Sequence, residues 1–306
     1  MARTAVRPSG PGTGFIDPRV LGRIHNLELL ARTVVDGFIS GLHRAPFLGL
    51  SVDFAEHRQY MPGDDIRRID WRLFARSDRF YLKHYEADSN ANFMVVLDIS
   101  RSMTFQQDGI SKLDYGRYLA ACLSYFSRQQ RDRVGLLTIA GEIVDYIPPA
   151  AGHLDLVLHA IDRIEAGGAG TLAQPLFELT GRIGRRGIMV VISDFYEEPD
   201  AVVDAVKDLR YAGHDVIVFH LLDPAELDFP FEKPASFQDL ESEARLPVVP
   251  GRLREGYREL IREHTETLSR RFVEHRIDYA LFNTGTPLDY ALFSYLSARQ
   301  RLTRVR

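Results

Sequence analysis

The sequence predicts an α/β fold: a doubly wound, mostly parallel sheet with helices on both faces, preceded by a smaller N-terminal α+β module. Three observations carry that expectation. Short, uncharged, β-branched runs recur at Phe93–Leu97, Val134–Ala140, Ile188–Ile192 and Val216–Leu222, as expected of strands buried on both faces of a parallel sheet. Segments with helical spacing alternate with them, the pattern of a sheet covered by helices. The first run then ends abruptly in Asp98, with Ser100 and Ser102 at every second position. Parallel sheets place ligands just beyond the carboxyl ends of their strands, so these three oxygen-bearing residues stand where a site is built.

The chain has 306 residues, enough for one large domain and a smaller one. Hydrophobic residues make up 45% and charged residues 26%, an ordinary globular composition. A net charge of −4 gives no global reason to expect nucleic-acid binding. The single cysteine, Cys122, excludes an internal disulfide and fits a reducing compartment. Its place in a helical pattern makes it core rather than a reactive thiol. No apolar run approaches the ~18 residues of a membrane span. The N-terminus lacks the apolar core of a signal peptide, so a cytoplasmic protein is expected.

Taken in order, residues 1–16 are rich in Gly, Pro and Arg and read as a flexible tail. Residues 17–88 form the N-terminal module. Asp17-Pro18 caps a helix whose apolar positions run from Val20 and Ile24 through Ala31, Val34 and Phe38, with Gly37 and Gly41 as places to stop. From Ser51 to Glu86 charge and aromatics are packed together. Pro62-Gly63 is a turn, Ile69–Ala75 a short helix carrying Trp71 and Phe74, and Arg79–Glu86 a strand. Arg67, Arg68, Arg72, Arg76 and Arg79 offer a phosphate-binding patch. Asp64, Asp65, Asp70 and Asp78 are interleaved with them, and a lattice of internal ion pairs is the favoured reading.

Residues 89–306 form the sheet domain. Ser111 caps a helix over Lys112–Gln130 with the stripe Tyr115, Tyr118, Leu119, Cys122, Tyr125 and Phe126. Ile143–Ile147 returns as an antiparallel edge, His153–Ile164 is helical, and a glycine-rich loop at 167–170 leads to Thr171 and another helix. The strand Ile188–Ile192 ends in Ser193-Asp194, and Asp200–Tyr211 is a helix. Asp223–Pro250 is irregular with a small hairpin. A long amphipathic helix follows, with Tyr257, Leu260, Ile261, Leu268 and Phe272 as its apolar face. Tyr279–Phe282 is a strand, and Thr286-Pro287 opens the last helix.

Asp98, Ser100, Ser102, Thr171 and Asp194 thus fall on three loops at strand ends or helix starts. Hard divalent cations take oxygen ligands, and magnesium needs only a few from protein. Order and spacing resemble the metal-ion-dependent adhesion site (MIDAS) of von Willebrand factor A domains: Asp-x-Ser-x-Ser, then Thr, then Asp. The stretch Gly49 to Arg76, GLSVDFAEHRQYMPGDDIRRIDWRLFAR, resembles the signature of domain-of-unknown-function family fifty-eight, bacterial proteins that join such a block to an A-like, Rossmann-like domain.

The resemblance implies Mg2+ (or Mn2+) bound directly by Ser100, Ser102 and Thr171, with Asp98 and Asp194 acting mainly through water. It also implies a MoxR-type AAA+ ATPase, or its client, as partner, with the chain as adaptor or co-chaperone and a partner carboxylate completing the metal's coordination. Two alternatives stand beside it. A Mg2+-dependent phosphoesterase has the metal, yet lacks a second aspartate two residues after Asp98 and any His or Lys within the three loops; His153, His159 and His220 remain candidates in space. A phosphate or nucleic-acid binder would rest on the arginines of the N-terminal block. The expectation is a protein-interaction module with no catalytic residues and no membrane segment.

Overall fold

The computed structural model describes residues 26–44, 57–59, 81–83, 91–107, 109–168, 170–183, 185–240 and 244–304. The tail at 1–16, the helix start at Asp17-Pro18, the Ile69–Ala75 helix with Trp71 and the proposed arginine–aspartate lattice lie outside the described residues. Of the N-terminal module, strands β1 (His57–Gln59) and β2 (Tyr81–Lys83) pair antiparallel.

Helix α1 (Leu27–Arg44) runs through Gly37 and Gly41, both expected to end it. A Cβ at Gly37 would meet nothing, and Leu30, Ala31, Val34 and Val35 anchor the helix in the core. Packing here outweighs the roughly 1 kcal/mol that a helical glycine costs. Although it precedes residue 89, α1 shares its core with the sheet domain, and Phe38 meets Phe126 edge to face at 6.4 Å.

The sheet begins at β3 (Asn92–Asp98). Its other strands are β4 (Arg133–Ile139), β5 (Ile143–Ala150), β6 (Gly187–Ser193), β7 (Asp215–Leu222) and β10 (Asp278–Asn283), in the spatial order β10-β7-β6-β3-β4-β5. All neighbours are parallel except β5, an antiparallel edge against β4. A Cβ on Gly135 would sit 2.6 Å from the Ile147 carbonyl, so β5 comes this close only because a glycine faces it. Pro148 and Pro149 are tolerated there because an edge strand has one unpaired side.

Side-chain alternation along β3 builds two cores. Phe93, Val95 and Leu97 face a layer made by α1, α2 (Lys112–Gln129), α3 (Leu154–Asp162) and α8 (Leu288–Arg304). Met94 and Val96 face α4 (Ala173–Arg182), α5 (Pro199–Tyr211) and α7 (Pro250–Glu274). The doubly wound sheet expected from the sequence is therefore present. Ser111 caps α2 as expected, accepting from the Asp114 N–H at 3.0 Å.

Asp223–Pro250 holds more than a hairpin. A one-turn helix α6 (Pro224–Asp228), set by a capping box between Asp223 and Glu226, precedes the pair β8 (Ala235–Gln238) and β9 (Arg245–Val248). In α7, Ile261, Leu268 and Phe272 are buried as expected, whereas Leu260 is exposed. Ile261, Leu268 and Phe272 follow i, i+7, i+11 spacing, and Leu260 falls off that stripe.

Strands β3 and β6 are adjacent, but the chain leaves them toward opposite faces. Their carboxyl ends form the topological switch point, where an open α/β sheet has a crevice.

Beside that crevice, β7 buries His220, whose Nδ1 lies 2.8 Å from the Tyr279 hydroxyl. Burial pushes the imidazole down to about 3. A histidine titrating near 6.5 when unfolded but near 3 when folded leaves the unfolded state with more protons in between. Its contribution is intact above about pH 6.5 and is lost as pH falls, at about 1.4 kcal/mol per unit. Denaturant unfolding at pH 7 and pH 4.5 should show wild type losing roughly 2–3 kcal/mol more than His220→Gln. Equal losses in the two proteins would show that this histidine is protonated without cost.

Candidate metal centre

Each candidate loop is shaped by hydrogen bonds of its own residues. Strand β3 ends with Asp98 buried, and its Oδ1 accepts the Ser100 N–H at 2.9 Å. This short side-chain turn breaks the strand and leads into a 3-10 turn over Arg101–Thr104. The Ser100 and Ser102 hydroxyls then lie 3.0 Å apart. From the end of β6, Ser193 Oγ donates to Asp98 Oδ2 at 2.6 Å and accepts the Phe195 N–H at 3.1 Å. Phe195 takes a left-handed φ of 46°, which sharply turns the chain after Asp194.

The middle loop is held differently. The Gly167 N–H donates to the Ile99 carbonyl at 2.6 Å, and Gly170 lies so close to Gly141 that a Cβ would collide with its backbone. Glu197 accepts the Leu172 N–H at 2.7 Å, binding the start of α4 to the loop after β6.

Asp98, Ser100, Ser102 and Asp194 line one cleft of about 300 Å3, together with Gly170, Leu172, Ser193, Phe195, Tyr196, Glu197 and Asp239. Four of the five candidate residues thus converge. Thr171 is exposed and outside the lining, although both its neighbours belong to it.

Electrostatics set the character of the cleft. Burial, and then the neighbouring charge of Asp194, push Asp98 up to about 7 against the hydrogen bonds from Ser193 and Ser100. Asp194 has a cation of its own. Lys112 Nζ, at the start of α2, lies 2.8 Å from Asp194 Oδ2 and 2.6 Å from Glu226 Oε1, with its side chain fully buried. Burial pulls the lysine down, and the two carboxylates more than reverse this, holding it as an ammonium. The ammonium also faces the Tyr196 ring at 4.8 Å from its centroid.

The donor set fits a hard cation. Every polar candidate in the cleft offers oxygen, and the 3.0 Å between the two hydroxyls equals about one edge of an octahedron with ~2.1 Å bonds. Among the described residues, no three His, Cys, Asp or Glu side chains cluster as a metal cage. A cation here would depend on hydroxyls and water as well as carboxylates.

The family described as "Protein of unknown function DUF58" matches residues 56–267. The chain belongs to the DUF58 family. An uncharacterised protein of Mycobacterium tuberculosis is 30% identical to this DUF58 chain over 249 residues, 79% of the chain and 77% of the relative. Among solved structures, BatB, a conserved hypothetical protein from Bacteroides thetaiotaomicron, is similar with a TM-score of 0.48 and 19% identity, over 68% of this chain and 98% of BatB. The VWA domain of SpRpn10 is similar with a TM-score of 0.37 and 8% identity, over 65% of this chain and 92% of that domain. No helix among the described residues of the DUF58 chain is long and apolar enough to cross a membrane.

Sequence reasoning placed no lysine at the site, and the fold supplies one. Lys112 was legible only as the first residue of a helix, and its partners lie 82 and 114 positions away. Of the candidate histidines, His220 lies next to the site, paired in register with Ser193 but buried behind it. His159 is exposed on α3, and His153 Nδ1 is engaged by the Pro148 carbonyl at 2.7 Å.

Glu197 ties the start of α4, next to Thr171, to the loop after β6. Glu197→Ala removes a helix-start acceptor, a loss of about 0.5–2 kcal/mol. For a domain of this size the melting temperature should fall by roughly 2–6 °C. A melt unchanged within a degree would show that the bond contributes nothing to holding that loop.

Proposed function

We propose that this DUF58 chain is a metal-dependent protein-interaction module that captures a partner carboxylate through Mg2+ or Mn2+ in the cleft. The supporting observation is the balance of charge around it. Ser100 and Ser102 are neutral, Asp194 already shares an ammonium, and no basic group is among those that act on Asp98. Ser100 and Ser102 would hold the ion, with Asp98 and Asp194 acting through water and Thr171 joining from its exposed turn. When bound, the ion supplies positive charge that this donor set does not cancel, and an anionic oxygen from another protein answers it. The residues of the chain do the rest. Ser193 and the Ser100 N–H fix the Asp98 carboxylate, and Lys112 fixes that of Asp194.

The partner we propose is a MoxR-type AAA+ ATPase or its client, as the family resemblance implies, with the chain serving as adaptor or co-chaperone. A magnesium-dependent phosphoesterase finds less support in the cleft. Lys112, beside the cleft, is held as an ammonium by two carboxylates and offers no base.

Ser100→Ala and Thr171→Ala remove proposed ligands with little change of shape. Each should weaken capture of the co-expressed ATPase by about ten- to a hundredfold, the worth of one charge-assisted contact, while leaving the melting curve nearly intact. Chelator should do the same to wild type, and added magnesium should restore wild type alone. Co-purification that ignores chelator and both substitutions excludes the metal-bridged reading, even where the two proteins bind.

The choice of Asp98 substitution matters for the same test. Asp98→Ala would strand the Ser100 N–H and the Ser193 hydroxyl, at about 1–3 kcal/mol for each buried group. Asp98→Asn keeps an acceptor for one of them. It should abolish Mn2+ binding measured by calorimetry while melting closer to wild type than Asp98→Ala does. Undiminished Mn2+ affinity in Asp98→Asn removes this cleft from consideration.

A further inference from the structure

Lys112 is among the largest fully buried side chains of the chain, and its ammonium is enclosed by two carboxylates and an aromatic ring. A buried ion pair is a poor way to stabilise a fold, since apolar residues of similar volume do as well or better. What the ammonium does alter is the charge presented to the cleft. Asp194 lines the cleft and Glu226 does not, and a single lysine is divided between them.

We propose that Lys112 is an internal counter-cation that sets how strongly the cleft attracts a divalent ion, with Glu226 setting how much of that charge reaches Asp194. The proposal rests on the reading of the cleft as a metal site. Lys112 touches neither metal nor partner in this scheme; it is a positioning residue acting through Asp194. Its positive charge opposes a second cation nearby and keeps an ion in the cleft short of negative charge. That shortage is what a partner carboxylate meets. Glu226 works in the opposite sense. It is anchored by its own capping box, where Oε2 accepts the Asp223 N–H at 2.7 Å, so its other oxygen stays with the ammonium.

The test is a calorimetric titration of Mn2+ into the full chain carrying Lys112→Met, Glu226→Gln, or both. Lys112→Met should bind Mn2+ roughly tenfold or more tighter than wild type, and Glu226→Gln roughly tenfold weaker, because one removes a positive charge and the other a negative one. The double variant restores the net charge and should return toward wild type. Plain structural damage would weaken binding in both single variants, and that result, or no shift in either, overturns the proposal. Should Lys112→Met fail to fold on its own, the double variant buries one charge fewer and decides the question against Glu226→Gln. The added Met must then tighten binding. Wild type without Mn2+ binding would defeat the metal-site reading. The counter-cation survives that result only if Lys112→Met gains binding that wild type lacks, and is overturned with the reading if neither binds.

Discussion

The rest of the site depends on burying the Asp98 carboxylate at the end of the central strand. Its two acceptor oxygens join the loop that follows β3 to the end of β6, through the Ser100 N–H and the Ser193 hydroxyl. Those two strands are neighbours in the sheet but 95 positions apart across the Asp98–Ser193 bond, so this single carboxylate closes the switch point. The arrangement is costly. A carboxyl held near 7 instead of 3.8 opposes folding at neutral pH by up to about 4 kcal/mol. Two cores packed on opposite faces of β3 hold it in place nonetheless.

A second carboxylate, Asp194, lies beside the first, and the fold treats the two differently. Asp98 has hydrogen bonds but no basic partner among the groups that act on it, whereas Asp194 has Lys112. The difference follows from topology. The helix after β3 starts below the loop after β6, so its first residue reaches Asp194 and Glu226. The loop after β3 is in turn tied to the turn after β7, where Asp223 accepts the Gln107 N–H at 3.2 Å. His264 of α7 lies 2.8 Å from the Phe195 carbonyl and supports the left-handed turn from below. Elements on both faces of the sheet thereby converge on the three residues after β6.

What the sequence made legible follows the range of the interactions concerned. Strands buried on both faces declare themselves by composition, and the Asp98-x-Ser100-x-Ser102 turn is local, so both could be read directly. The cap at Ser111 and the edge position of β5 were readable for the same reason. Lys112 was not, because nothing within a helical turn of it reveals carboxylates 82 and 114 residues away. Thr171 was placed by motif order alone, which fixes its loop but not the direction of its side chain. Gly37 and Gly41 misled because local propensity is weak against a helix face buried in the core. Leu260 misled for a related reason: an apolar residue one position off the stripe looks like part of it until the helix is docked.

The two carboxylates also explain why stability and binding must be considered together in this cleft. An apolar residue in place of Asp98 would relieve the charge but strand two buried donors, while a neutral residue in place of Lys112 would leave Asp194 and Glu226 buried without their cation. Neither change improves packing alone. A bound cation would offset the charge of Asp98 while the Ser100 N–H and the Ser193 hydroxyl still hold its oxygens. Anything that binds the folded state alone stabilises it by mass action. On the reading proposed above, an ion bound between the β3 and β6 loops would therefore couple its own occupancy to the stability of the fold that presents it.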